Sequence, residues 1–132
     1  MDDLLNGRGA GFARTAELNG YPGPRHVLDR GDHLTLSAEQ RTSIEAIFAA
    51  MQTDATRLGA EIVDRERALA AAFAQRTVSP GSLAARVDTL GTLYARLRAR
   101  HLGAHIETTA LLTPEQIGRY SEMRWYEGEH AH

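Results

Sequence analysis

The chain has 132 residues, no cysteine, and fifteen basic against seventeen acidic residues, a formal charge of −2. This length suits one domain with a modest core. The missing cysteines exclude disulfides, thiolate metal sites and thiol redox chemistry, and the near balance of charge leaves no footprint for nucleic acid or an anionic membrane.

All fifteen basic residues are Arg. A GC-rich coding sequence explains this more simply than a surface tuned to grip polypeptide. Residues 1–11 carry three glycines and little apolar content, so residues 1–20 read as a mobile N-terminal tail with a short helix over residues 12–18. Asn19-Gly20-Tyr21-Pro22-Gly23-Pro24 must break that helix. Pro24 then opens a second short helix through His26, Val27 and Leu28 that ends near Gly31.

From Ser37 the helical period takes over. Ile44, Phe48, Met51, Ala55, Leu58, Ile62, Leu69 and Phe73 recur at spacings built from threes and fours. The pattern predicts a helix to about Arg76, near ~60 Å long at 1.5 Å per residue. Val78-Ser79-Pro80-Gly81-Ser82 turns the chain. A second long helix follows, with Leu83, Val87, Leu90, Tyr94, Leu97, His101, Ala104, Thr108 and Leu111 as its stripe. Two such helices with a short connector predict an all-α fold, a long antiparallel hairpin with short flanking helices. One facing helix cannot satisfy both stripes, so the flanking helices and a second copy of the chain are expected to cover the rest, as a homodimer. The hairpin domain is expected over residues 21–126, the last helix ending near Tyr126 and residues 127–132 forming a polar, His-containing tail.

One phrase occurs twice. Leu36-Ser37-Ala38-Glu39-Gln40 opens the first long helix, and Leu112-Thr113-Pro114-Glu115-Gln116 opens the last segment. In each, the hydroxyl residue sits at the N-cap and Gln three positions later can reach back to the cap's amide, a capping box. Glu one position earlier complements the helix dipole. Pro114 suits the first helical position, and Leu112 with Ile117 can close a hydrophobic staple.

A repeated L-[ST]-x-E-Q around a helical hairpin resembles the LTxxQ family of bacterial periplasmic proteins, over roughly residues 21–126. That family takes in Spy-, CpxP- and ZraP-like stress chaperones and CnrX-type heavy-metal sensors. The resemblance implies a periplasmic location, with an export signal or anchor outside this chain, since Met1-Asp2-Asp3-Leu4-Leu5 has neither the basic start nor the apolar run of a signal. It also implies a non-enzymatic, ATP-independent binder of unfolded proteins with metal binding, or alternatively a Zn, Ni, Co or Cu sensor or resistance protein signalling to a membrane partner. A plain helical dimerisation module is the third reading.

His101 and His105 stand four apart on one helix, a spacing that can chelate a divalent transition metal. A histidine at a core edge, bonded to a carbonyl or carboxylate, would satisfy the same positions. Met51, Asp54 and His26 are the candidate partners. In CnrX-type sensors ligands come from a histidine segment upstream of the first phrase and from the second long helix, which implies His26, His101 and His105 here. The match is inexact: Arg30 stands where those sensors have a second upstream histidine, and His105 stands where they have Met. His130 and His132 end the chain and read as incidental. Glu61, Asp64 and Glu66 alternate with Arg57, Arg65 and Arg67 as a solvated face of helical ion pairs. No nucleophile setting, phosphate loop or H-E-x-x-H appears, so no enzyme activity is expected.

Overall fold

The computed structural model describes residues 11–130, with side chains through residue 124. The start of the expected mobile tail, residues 1–10, lies outside the described residues, as do His132 and the side chain of His130. Among the described residues the chain is all helical: α1 (Arg14–Leu18), α2 (Pro24–Asp29), α3 (Gly31–Leu34), α4 (Ala38–Ala74), α5 (Pro80–Ala110) and α6 (Pro114–His130). The long helices α4 and α5 pack together as the expected hairpin. The last helix runs four residues past its expected end. The chain divides into two compact units, Gln52–His101 and Phe12–Met51 with Leu102 onward.

In the unit of residues 52–101, Ala55, Leu58, Ile62 and Val63 of α4 are buried, as are Leu90, Leu93 and Leu97 of α5. The α4 helix stops at Ala74 because Arg76 turns left-handed (φ 56°). That turn lets Thr77 N–H bond to Ala72 O at 2.9 Å and Arg76 N–H to Phe73 O at 3.1 Å, the paired bonds of a Schellman ending. Ser79 then caps α5: its Oγ accepts the Ser82 N–H at 3.2 Å, Ser82 Oγ accepts the Ser79 N–H at 2.9 Å, and Pro80 takes the first helical position. The stretch expected only to turn the chain is therefore also a helix start. Phe73 and Val87, assigned to the stripes by period, are exposed, whereas Val63, Leu93 and Ala72 are buried.

The other unit has its own core, in which Val27 of α2, Leu34 of α3, Ile44 of α4, Leu112 just before α6 and Tyr120 of α6 pack together, with Leu28, Leu36, Ile117 and Met123 around them. The short helices thus cover this end of the hairpin, as expected. Thr35, left-handed at φ 55°, ends α3 with the same paired bonds, Leu36 N–H to Gly31 O and Thr35 N–H to Asp32 O. Both capping boxes form. Ser37 Oγ accepts the Gln40 N–H at 3.0 Å while Gln40 Oε1 accepts the Ser37 N–H at 2.9 Å. Thr113 Oγ1 accepts the Gln116 N–H at 3.1 Å, and Gln116 Oε1 accepts the Thr113 N–H at 2.9 Å. Ser37→Ala should cost about 1 kcal/mol in urea unfolding, the usual worth of one capping bond.

The two boxes are also tied to each other. Gln40 Nε2 donates to Gln116 Oε1 at 2.8 Å, and Gln116 Nε2 donates to Gln40 Oε1 at 3.0 Å. The spare amide hydrogens bond the carbonyls that precede the opposite box, Gln40 to Leu111 O at 2.8 Å and Gln116 to Leu34 O at 3.2 Å. Each Gln side chain therefore closes its own helix start and joins α4 to α6. One buried polar atom nearby is left over: Thr108 is fully buried and its Oγ1 has no hydrogen-bond partner among the described residues. Thr108→Val keeps the shape and removes that hydroxyl, so it should raise stability by about 1 kcal/mol in thermal or urea unfolding.

Candidate functional site

The chain reaches the site through a tight local path. Gly20 turns left-handed at φ 80°, the conformation that ends α1, and Tyr21 N–H bonds back to Ala16 O at 2.9 Å. Pro22 and Pro24 are fully buried. Gly23, extended, precedes Pro24 at the start of α2. This turn brings Glu17 of α1 and His26 of α2 to one place, where they meet His105 of α5 and Arg124 of α6.

The Glu17 carboxylate is the centre of that cluster. Its Oε1 lies 3.4 Å from His105 Nε2 and 3.7 Å from His26 Nε2, and its Oε2 accepts a hydrogen bond from Arg124 Nη1. Glu17 and His105 are nearly covered, Arg124 is part-exposed, and His26 is half exposed at 52%. The His105 hydrogen bond, with Arg124 and the His26 charge behind it, outweighs burial and holds the Glu17 carboxyl at about 2 instead of its ordinary 4.5. Burial pushes the Tyr120 phenol up, and the Glu17 charge adds to it. Burial alone would loosen the proton of Arg124, but the Glu17 bond more than offsets this, and its pKa is raised.

Gly23 is required by close approach. A Cβ there would stand 2.6 Å from His105 Nε2 and 2.8 Å from its Cε1, closer than real contacts allow. The imidazole has little room to yield, with only 9% of its side chain exposed. Gly23→Ala should therefore push His105 off Glu17 and cost about 1–2 kcal/mol, the usual penalty of overpacking. A thermal melt, with the His105 ring proton shifts, would check it.

Two of the histidines singled out from the sequence, His26 and His105, thus share one carboxylate. His101 is buried, and belongs to the unit of residues 52–101. Met51 is buried as core, and Asp54 accepts a hydrogen bond from Arg100 Nε at 2.8 Å. Neither Glu17, expected only as part of a short helix in the N-terminal tail, nor Arg124 stands out in the sequence as a site residue, and Gly23 reads there only as part of a turn. A five-residue helix carries no usable period, so the one available signal was an acidic residue five positions ahead of a Pro-Gly-Pro turn.

Metal ligation needs three or four groups around one point. Two ligands on a tetrahedral ion at ~2.05 Å stand about 3.3 Å apart, and the two Nε2–Oε1 separations lie close to that. Yet among the described residues no three His, Asp or Glu side chains are arranged to hold a metal ion. The carboxylate's second oxygen is engaged by a guanidinium. As arranged, the cluster does not fit a metal.

A family model described as heavy-metal resistance matches residues 6–119. No curated protein and no solved structure matches the chain. None of the described helices is long and apolar enough to cross a membrane.

Proposed function

Because the chain belongs to the heavy-metal resistance family, we propose that it is a non-enzymatic periplasmic stress protein that holds unfolded polypeptide without ATP. The observation that supports this reading is the set of large apolar side chains left exposed on the helices. Leu18, Tyr21, Ile106 and Leu111 lie in one unit, and Phe73 and Val87 in the other, with Leu18 and Ile106 about 60% exposed. Exposed apolar groups spread over helical surface suit weak, shallow contact with many sequences. In a homodimer, part of that surface would be covered by the second copy.

The test is suppression of aggregation of a reduced, unfolded model protein with no nucleotide present. The chain should suppress it near equimolar ratio, and Ile106→Ser with Leu111→Ser should remove at least half of the effect without lowering the melting temperature. No suppression at tenfold molar excess would defeat the reading. Sedimentation at micromolar concentration reports the dimer.

A second reading, a divalent-metal sensor acting on a membrane partner, draws on the family's heavy-metal resistance description alone, since the Glu17 cluster as arranged does not fit a metal. Calorimetry with zinc, nickel, cobalt and copper, on a chain with His130 and His132 changed to Gln, would support it if binding tighter than about 100 µM were lost on His105→Asn.

A further inference from the structure

The family's name calls for metal, while the cluster that most nearly resembles a metal site already holds a cation. Arg124 reaches from α6 to Glu17 Oε2, and Tyr120, one turn earlier on the same helix, hydrogen-bonds that guanidinium and steadies it. A divalent ion at Oε1 would sit one carboxylate width from this positive group. It would be repelled by it and would find the carboxylate's charge already shared.

We propose that Arg124 is the resident cation of the cluster and closes it to metal. Without that guanidinium, Glu17, His26 and His105 offer a two-imidazole, one-carboxylate site for a borderline divalent ion such as Zn2+ or Co2+. The chemistry of the three groups is that of such sites. The two Nε2–Oε1 separations of 3.4 and 3.7 Å are near the spacing of two ligands on one ion, and half-exposed His26 must shift to bring the three groups around one point. Arg124 is thus a specificity-determining residue: it makes the cluster an internal ion network that ties α1 and α2 to α6. This inference does not rest on the client-binding reading.

The experiment is a Co2+ titration of the full chain carrying His130→Gln and His132→Gln, at about pH 7.5 to limit competition by protons for the ligands. It is followed by visible ligand-field absorption and by calorimetry. Arg124→Met should tighten Co2+ binding at least tenfold and bring up a tetrahedral spectrum. Adding Glu17→Gln or His105→Asn should abolish the gain. Arg124→Lys, which keeps a positive charge, should stay as weak as the parent. If circular dichroism shows that Arg124→Met has lost helix, Arg124→Gln, polar and neutral, carries the same expectation. The inference is overturned if neither neutral variant gains affinity, if the gain survives Glu17→Gln, or if the parent binds Co2+ as tightly as they do in a Glu17-dependent way.

Discussion

Replacing Gln116 by Leu should lower the free energy of unfolding by about 3 kcal/mol, well beyond the loss of a cap. The side chain is buried, and it makes four hydrogen bonds at once. It receives the Thr113 N–H and the Gln40 amide, and it donates to Gln40 Oε1 and to Leu34 O. Leucine fills similar space but leaves the Leu34 carbonyl, the Thr113 N–H and half of the Gln40 amide without partners. Orphaned groups of this kind cost about 1–3 kcal/mol each when buried, and Gln40 escapes part of that because water reaches it. Gln40→Leu should cost less, and the double variant should cost clearly less than the two added together, with a coupling above about 1 kcal/mol. Urea unfolding of the four chains measures the cycle. A Gln116→Leu penalty no larger than that of Ser37→Ala would mean that the two boxes act only as separate caps.

Acid should strip a comparable amount of stability through Glu17. Its carboxyl is held at about 2 in the folded chain against an ordinary 4.5, so the native state binds this proton less readily than the unfolded one. The contribution is therefore fully present above about pH 4.5 and is lost as the pH falls towards and through about 2. A depression of this size sets a ceiling of about 3 kcal/mol. The groups that face Glu17 are His105, His26, Arg124 and the Tyr120 phenol. Arg124 and the Tyr120 phenol stay protonated throughout that window. Unfolding free energies measured from pH 5 to pH 2 should fall more steeply for the unaltered chain than for Glu17→Gln, and the two curves should converge at the acid end. Parallel curves would show that the cluster adds nothing to folding.

Both predictions concern contacts that no local pattern announces, and this divides what could be read early from what could not. The caps at Ser37 and Thr113, the Pro24 and Pro114 helix starts, the break at Asn19-Gly20 and the turn after Arg76 all depend on groups within about five residues of each other. Hydroxyl, proline and glycine carry such signals in their own covalent geometry. The hairpin followed from the period of the apolar residues, and the middle of both stripes is buried as that period requires. The stripes erred at the ends of the helices, where period alone cannot tell which side of a two-helix pair meets its neighbour. Phe73, Val87 and Leu111 are exposed, and Val63, Leu93 and Ala72, which the stripes left out, are buried.

Sequence by itself determined the long helices and the last one, the starts at Ser37 and Thr113 and the hairpin, but not the short helix at Gly31–Leu34, because a helix closes its hydrogen bonds four residues away and its caps three. Tertiary structure alone decided that Gln40 meets Gln116, 76 residues on. It decided too that Glu17, which reads as part of a short helix in an N-terminal tail, accepts from Arg124, 107 residues on, beside two histidines. Those partners are chosen by how the short helices and α6 pack onto a shared apolar core. A carboxylate or an amide specifies only that some partner must be found, and the packing of distant segments specifies which.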